Sequence, residues 1–114
     1  MLSTPPGERL PAERAEALAQ LAALHREHTR LVQAAEGSNA DDEHDPEGAT
    51  IAFERAQLDA LTAAAQQRLT DLDAALGRLA AGGYGVCERC GEPIAAGRLA
   101  ARPATRTCIG CADG

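Results

Sequence analysis

A chain of 114 residues with one tyrosine, one phenylalanine and no tryptophan has little with which to build a large globular core, because aromatic side chains supply much of the area that stabilises small domains. The formal net charge is −6, and the whole excess lies between Glu36 and Glu47, where Glu36, Asp41, Asp42, Glu43, Asp45 and Glu47 occur without an arginine. Elsewhere eleven acids balance eleven arginines, so there is no basic face for nonspecific nucleic-acid binding, and the chain suits a partner that is basic or that presents metal ions.

Residues 1–9 read as a loose lead-in, polar and rich in proline, with no signal peptide. No apolar run approaches the roughly 18 residues of a membrane span. The expectation is a cytoplasmic protein with no membrane partner, in a reducing compartment that favours thiolate ligation over disulfides.

From Leu10 a four-three spacing begins: Leu10, Arg14, Ala17, Leu21, Leu24, His28, Leu31, Ala35. Leu18 and Val32 widen it. This is one face of an α-helix, ended by Glu36-Gly37-Ser38-Asn39 with Gly37 as a C-terminal cap. The acidic bend follows, and Asp45-Pro46 predicts the next helix start, Asp45 as N-cap and Pro46 in the first turn. A second stripe runs through Ile51, Arg55, Leu58, Thr62, Ala65, Leu69, Leu72, Leu76 and Leu79, and Gly82-Gly83 ends it. Two such stripes separated by a polar bend predict an antiparallel coiled coil over 10–81 with an acidic tip at 36–49. Each helix, of about 26 to 34 residues, would span roughly 40–50 Å. His28 falls on the seam. No carboxylate or cysteine is expected at matching spacing on the facing stretch around Leu58, so a partly buried packing role is expected, and His44 in the bend is expected to be exposed.

The remaining segment, 82–114, contains every cysteine of the chain, as Cys87-Glu-Arg-Cys90 and Cys108-Ile-Gly-Cys111. Two closely spaced thiolate pairs on separate turns can close a tetrahedron around one zinc ion. Two disulfides are the alternative. Tyr84 to Gly91 reads as a short strand entering a tight knuckle, with Gly91 free to take a positive φ. Arg89, Arg98, Arg102 and Arg106 lie close in sequence to a centre whose four thiolates and zinc carry a net negative charge. A four-thiolate site has no open position for water, so the zinc is structural and no enzymatic activity is expected. The fold class is therefore mainly α: an antiparallel helical hairpin with a small C-terminal four-cysteine zinc finger.

The same cysteine spacing occurs in DNA-reading fingers of the GATA type, which carry a basic helix and tail. Here Ala112-Asp113-Gly114 follows the last cysteine and no basic stripe is present, so sequence-specific DNA binding is not expected. A closer resemblance is carried by Gly83-Tyr84-Gly85-Val86-Cys87, Cys90-Gly91, Ile94, Arg98-Leu99, Ala101-Arg102-Pro103, Cys108 and Cys111. Together they resemble the signature of the DksA/TraR family of bacterial regulators. The hairpin with its acidic bend resembles that family's coiled coil and tip, so the likeness covers roughly residues 10–111.

That resemblance implies a zinc-bound base and a coiled coil inserted into the secondary channel of RNA polymerase, its tip approaching the active site without specific DNA contact. The implied tip residues are Asp42, Asp45, Glu47 and Ala49. The family pattern D-x-x-D-x-A is met only in part. Asp42 and Asp45 give the aspartate spacing, but Glu47 takes the alanine position. If Asp45 is instead the first aspartate, Gly48 falls on the second and Ala49 lies near the alanine. In the DksA branch, basic groups on a long helix after the last cysteine and on the coiled coil help bind the alarmone ppGpp. This chain shows no such helix and has no lysine, so alarmone binding is not expected. A monomer is the simplest state for a hairpin that pairs with itself. The competing functions are a Gre-like transcript-cleavage helper and a coiled-coil structural adaptor.

Overall fold

The computed structural model describes residues 4–37 and 46–112. Two long helices dominate: α1 is Pro6–Gly37 and α2 is Pro46–Ala81. A short helix, α3, covers Ala96–Ala101, and a single 3-10 turn covers Ile109–Cys111. α1 and α2 form a hairpin, and the four cysteines follow it near the C-terminus. The chain divides into two compact units. One consists of Ala17–Gln67, the other of Met1–Glu16 together with Arg68–Gly114.

The four-three stripe of α1 is the inner face of the helix. Leu10, Ala17 and Leu21 are buried, and Arg14, Leu24, His28, Leu31 and Ala35 are half-buried. On α2, Ala65 and Leu72 are buried, and Ile51, Leu58, Thr62, Leu69 and Leu76 are half-buried. Three positions of the expected stripes, Leu18, Arg55 and Leu79, are exposed. Ala75, which the spacing passes over, is completely buried. It lies three residues beyond Leu72 and so on the same side of the helix, widening the buried face.

The first helix begins at Pro6, ahead of the expected Leu10. Proline is at home at a helix start because its missing N–H would have had no helical partner there. Glu8 in the first turn suits the positive end of the helix. Packing supplies the rest: a Cβ on Gly7 would lie 3.2 Å from Leu79 Cδ1 and 3.5 Å from Tyr84 Cε2. A side chain at this position would require the exposed Leu79 side chain to give by a few tenths of an ångström, so glycine lets the start of α1 sit close to the end of α2 without that shift. Six to nine are thus helix rather than lead-in, anchored by a contact that no local pattern shows.

α2 starts at Pro46, as its sequence predicts, while Asp45 lies outside the described residues. It ends in a Schellman motif. Gly82 adopts φ +85°, its N–H donates to Leu79 O at 3.2 Å, and Gly83 N–H donates to Arg78 O at 2.8 Å.

Candidate metal centre

The chain leaves α2 through Tyr84 and enters the first loop. Its expected strand is reduced to one antiparallel bridge, Val86 with Pro93. The loop is closed by Cys87 N–H to Glu92 O at 2.9 Å and Ile94 N–H to Gly85 O at 2.8 Å. Pro93 has no N–H to continue the ladder, so pairing stops there. Between the ligands the chain turns sharply: Gly91 takes φ +76°, as expected, and its N–H donates to Cys87 O at 3.0 Å. The second loop is built by the 3-10 turn, in which Cys111 N–H donates to Cys108 O at 3.0 Å.

These two turns bring all four cysteines together. Cys87, Cys90, Cys108 and Cys111 each place a sulfur so that all four lie within 4.8 Å of one another. The Sγ atoms of Cys90 and Cys108 are 3.8 Å apart. Four sulfurs at tetrahedral corners, each about 2.3 Å from a common centre, are separated by about 3.8 Å. The donor set therefore fits one structural zinc, and the thiols are free, not bridged. Cys87 is almost fully buried, Cys108 and Cys111 are half-buried, and Cys90 is exposed.

Proton chemistry points the same way. Hydrogen bonds with the backbone at Cys108, then at Cys90 and Arg89, draw the Cys87 thiol down to about 6. Hydrogen bonding to the Cys108 side chain, then to Cys87, pushes the Cys111 thiol up to about 12. At Cys90 the backbone of Glu92 favours the thiolate, but hydrogen bonding to the Cys87 thiol, burial and the Cys108 thiol together raise it. Hydrogen bonding thus favours the thiolate at Cys87, whereas hydrogen bonding to neighbouring thiols and burial favour the protonated form at Cys90 and Cys111. Complete ionisation of the set requires a cation among the sulfurs, which is why loading a site of this kind releases protons.

Around the sulfurs, backbone carbonyls of the second loop are taken up by side-chain donors. Arg98 Nε donates to Thr107 O at 2.8 Å, Thr105 Oγ1 to the same oxygen at 3.1 Å, and Arg89 Nη1 to Cys111 O at 3.5 Å. Arg106 pairs with Asp71 of α2 at 3.6 Å. Arg102 is exposed and contributes its backbone, whose N–H donates to Arg98 O at 2.7 Å and closes α3. Tyr84 donates its hydroxyl to Pro103 O at 2.7 Å, and burial raises the Tyr84 phenol above its ordinary value. Two participants were not legible in the spacing. Arg78, in the last turn of α2, reaches Ala104 O and Thr105 O, and Arg9 of α1 donates to Ala100 O at 2.9 Å. The one hint for Arg78 is a cation near a helix C-terminus, which the helix dipole alone would explain.

Of the implied tip residues, Asp42 and Asp45 lie outside the described residues, as does His44. Glu47 falls in the first turn of α2, and Ala49 is exposed on the same helix. His28 is half-buried but is more than packing: Asp59 lies 3.6 Å from its Nε2. Asp59 directly follows Leu58, so a carboxylate does meet this histidine across the hairpin. Among the described residues the four cysteines are the one group placed to hold a metal.

Residues 82–114 match the sequence profile of the prokaryotic DksA/TraR C4-type zinc finger. A protein of Aquifex aeolicus (strain VF5) with no assigned role is 46% identical over 56 residues. That alignment takes in 49% of this chain and 39% of the relative, so the match spans well under half of the curated protein. Among solved structures, transcription factor DksA2 from Pseudomonas aeruginosa superposes with a TM-score of 0.77 at 28% identity, covering 95% of this chain and 78% of that one. The DnaK suppressor protein from Agrobacterium tumefaciens C58 is 32% identical, with 90% of each chain covered and a TM-score of 0.46.

Proposed function

The chain belongs to the DksA/TraR family of C4-type zinc-finger proteins, and on that footing we propose that it is a transcription regulator that binds RNA polymerase through the enzyme's secondary channel. The observation that carries this reading is the fold match to a transcription factor, DksA2, over 95% of the chain, hairpin and finger together. A finger alone would leave the function open, because closed four-thiolate sites serve many unrelated proteins.

In this reading the zinc finger is a base and the helix pair carries the acidic connection between α1 and α2. Asp42 and Asp45, with Glu47 and Ala49 beside them, act at short range on basic side chains or magnesium in the catalytic region. Attraction is stronger there than in bulk water, since a narrow channel lowers the effective dielectric constant. The zinc holds the base together and takes no part in chemistry. The protein acts in the cytoplasm as a monomer, with neither an alarmone nor specific DNA as ligand.

The test is co-purification of core RNA polymerase with the wild type and with the Asp42→Asn, Asp45→Asn double variant, followed by open-complex lifetimes on a promoter. The double variant should bind polymerase and keep its helicity but leave lifetimes unchanged, whereas the wild type alters them. A wild type that fails to bind polymerase refutes the reading. Release of short RNA from backtracked complexes would instead identify a cleavage helper.

A further inference from the structure

We infer that Arg78 is the positioning residue of the metal centre: from the last turn of α2 its guanidinium ties both ligand-bearing loops to the helix, so the four sulfurs are held in place by α2 as well as by their own turns. The inference concerns the finger itself and stands apart from the polymerase reading. Arg78 Nη2 lies 3.4 Å from Ala104 O and 3.3 Å from Thr105 O, on the segment leading to Cys108. Its Nη1 lies 3.6 Å from Oε1 of Glu88, the residue that follows Cys87. The backbone joins the two loops at the same place, because Glu88 N–H donates to Arg106 O at 2.9 Å. The Arg78 carbonyl accepts the Gly83 N–H that closes α2. One residue therefore touches the helix end, the first loop and the approach to the second.

The other arginines do less. Arg89, itself in the first loop, joins it to Cys111 O of the second but touches no helix, Arg98 reaches Thr107 O, Arg106 joins the second loop to Asp71, and Arg9 joins α1 to Ala100. Burial separates Arg78 from the other arginines in ion pairs among the described residues: its side chain is 16% exposed, against 37–71% for theirs, while Arg98 is half-buried as well. Contacts sheltered from water are screened less and are more costly to lose. A positive charge would by itself offset the excess charge of a zinc bound by four thiolates. What charge alone does not supply is a planar fork that serves two carbonyls with one nitrogen and a carboxylate with another, and a lysine ammonium is a single point without that spread. Groups that orient metal ligands from outside the coordination sphere change metal affinity by about 10–100-fold when removed.

The test measures zinc affinity by competition with a chromophoric chelator for the wild type, Arg78→Gln and Arg78→Lys. Visible absorption of the cobalt(II)-loaded proteins reports the tetrahedral thiolate geometry independently. Arg78→Gln should bind zinc about tenfold or more weakly, with a changed cobalt spectrum, and Arg78→Lys should recover only a minor part of the loss. Zinc affinity of Arg78→Gln within about twofold of the wild type would overturn the inference, and so would full recovery in Arg78→Lys, which would reduce the role to charge. Should circular dichroism show that Arg78→Gln does not fold, Arg78→Lys carries the test. Weakened zinc binding in a folded Arg78→Lys supports positioning, and wild-type affinity there refutes it.

Discussion

The two compact units of the chain are held by different physics. In the unit formed by Ala17–Gln67 the buried side chains among the described residues are Ala17, Leu21 and Ala65, on two helix segments with the His28–Asp59 pair between them. Small residues let helices approach closely but bury little area each, so every contact is weak and the unit depends on their repetition. The other unit packs Leu10, Leu72, Ala75, Cys87 and Ile94, and around them directional contacts converge: Tyr84 on Pro103, Arg9 on Ala100, Arg78 on Ala104 and Thr105, and Arg14 with Asp73 at 2.5 Å. A finger of some thirty residues with so small a core needs a metal to stay folded. One unit is specified by a repeated pattern, whereas the other is specified by particular atoms meeting.

The strongest way to break that contrast is to remove the zinc, by chelation or by Cys87→Ser. Structural zinc sites contribute about 10–16 kcal/mol of apparent binding energy at neutral pH. Hydrogen exchange should therefore accelerate far more in 6–16 and 68–112 than in 17–37 and 49–67. Equal acceleration throughout would mean that the two units fold as one.

Core truncation sharpens the comparison next. Leu72 is 1% exposed and Leu21 is 8% exposed. Leu72→Ala should cost about 3 kcal/mol, and Leu21→Ala, at a looser seam, about 2, both read from thermal or denaturant melts of the zinc-loaded protein.

Tyr84→Phe removes one hydrogen bond and should cost about 1 kcal/mol. It carries a pH signature as well. Burial raises the Tyr84 phenol, so above about pH 10 the unfolded chain loses this proton before the folded one does. The stabilisation is complete below that pH and declines as pH rises through the folded value. Melts of the wild type should show the decline, and the phenylalanine variant should lack that component.

The smallest effect is expected in the other unit. Asp59→Asn breaks a pair whose partners are 39% and 65% exposed, and it should change stability by less than about 0.5 kcal/mol. A larger loss would show that this pair, rather than the alanine seam, sets the stability of the unit.

Much of this architecture is legible in the amino-acid sequence. The four-three spacing marks the buried face of α1 from Leu10 to Ala35, and the start of α2 at Pro46 follows from proline's tolerance of the first helical turn. The cysteine spacing names the four sulfurs that meet, and Gly82 and Gly91 adopt the backbone that their positions demand. The misses share one origin. Pro6–Gly7 reads locally as a lead-in because its helical start packs against Leu79 and Tyr84, more than seventy residues away. Ala75 falls outside the four-three spacing because that spacing describes a narrow seam, whereas the buried face at Leu72 and Ala75 is wider. Asp59 and Arg78 had no local signature, since nothing along the chain says which acid meets His28 or which carbonyls gather near a guanidinium.

The division follows from the range of each interaction. Helix periodicity, turn-forming glycines and closely spaced thiols are local properties, fixed by backbone sterics and bond geometry within a few residues, so this amino-acid order determines them by itself. The convergence of Arg9, Arg78 and Tyr84 on carbonyls at 100–105 is set by how distant segments dock, which only the folded chain decides. The carbonyls of Pro103, Ala104 and Thr105 are part-buried there, and the side chains within reach satisfy them.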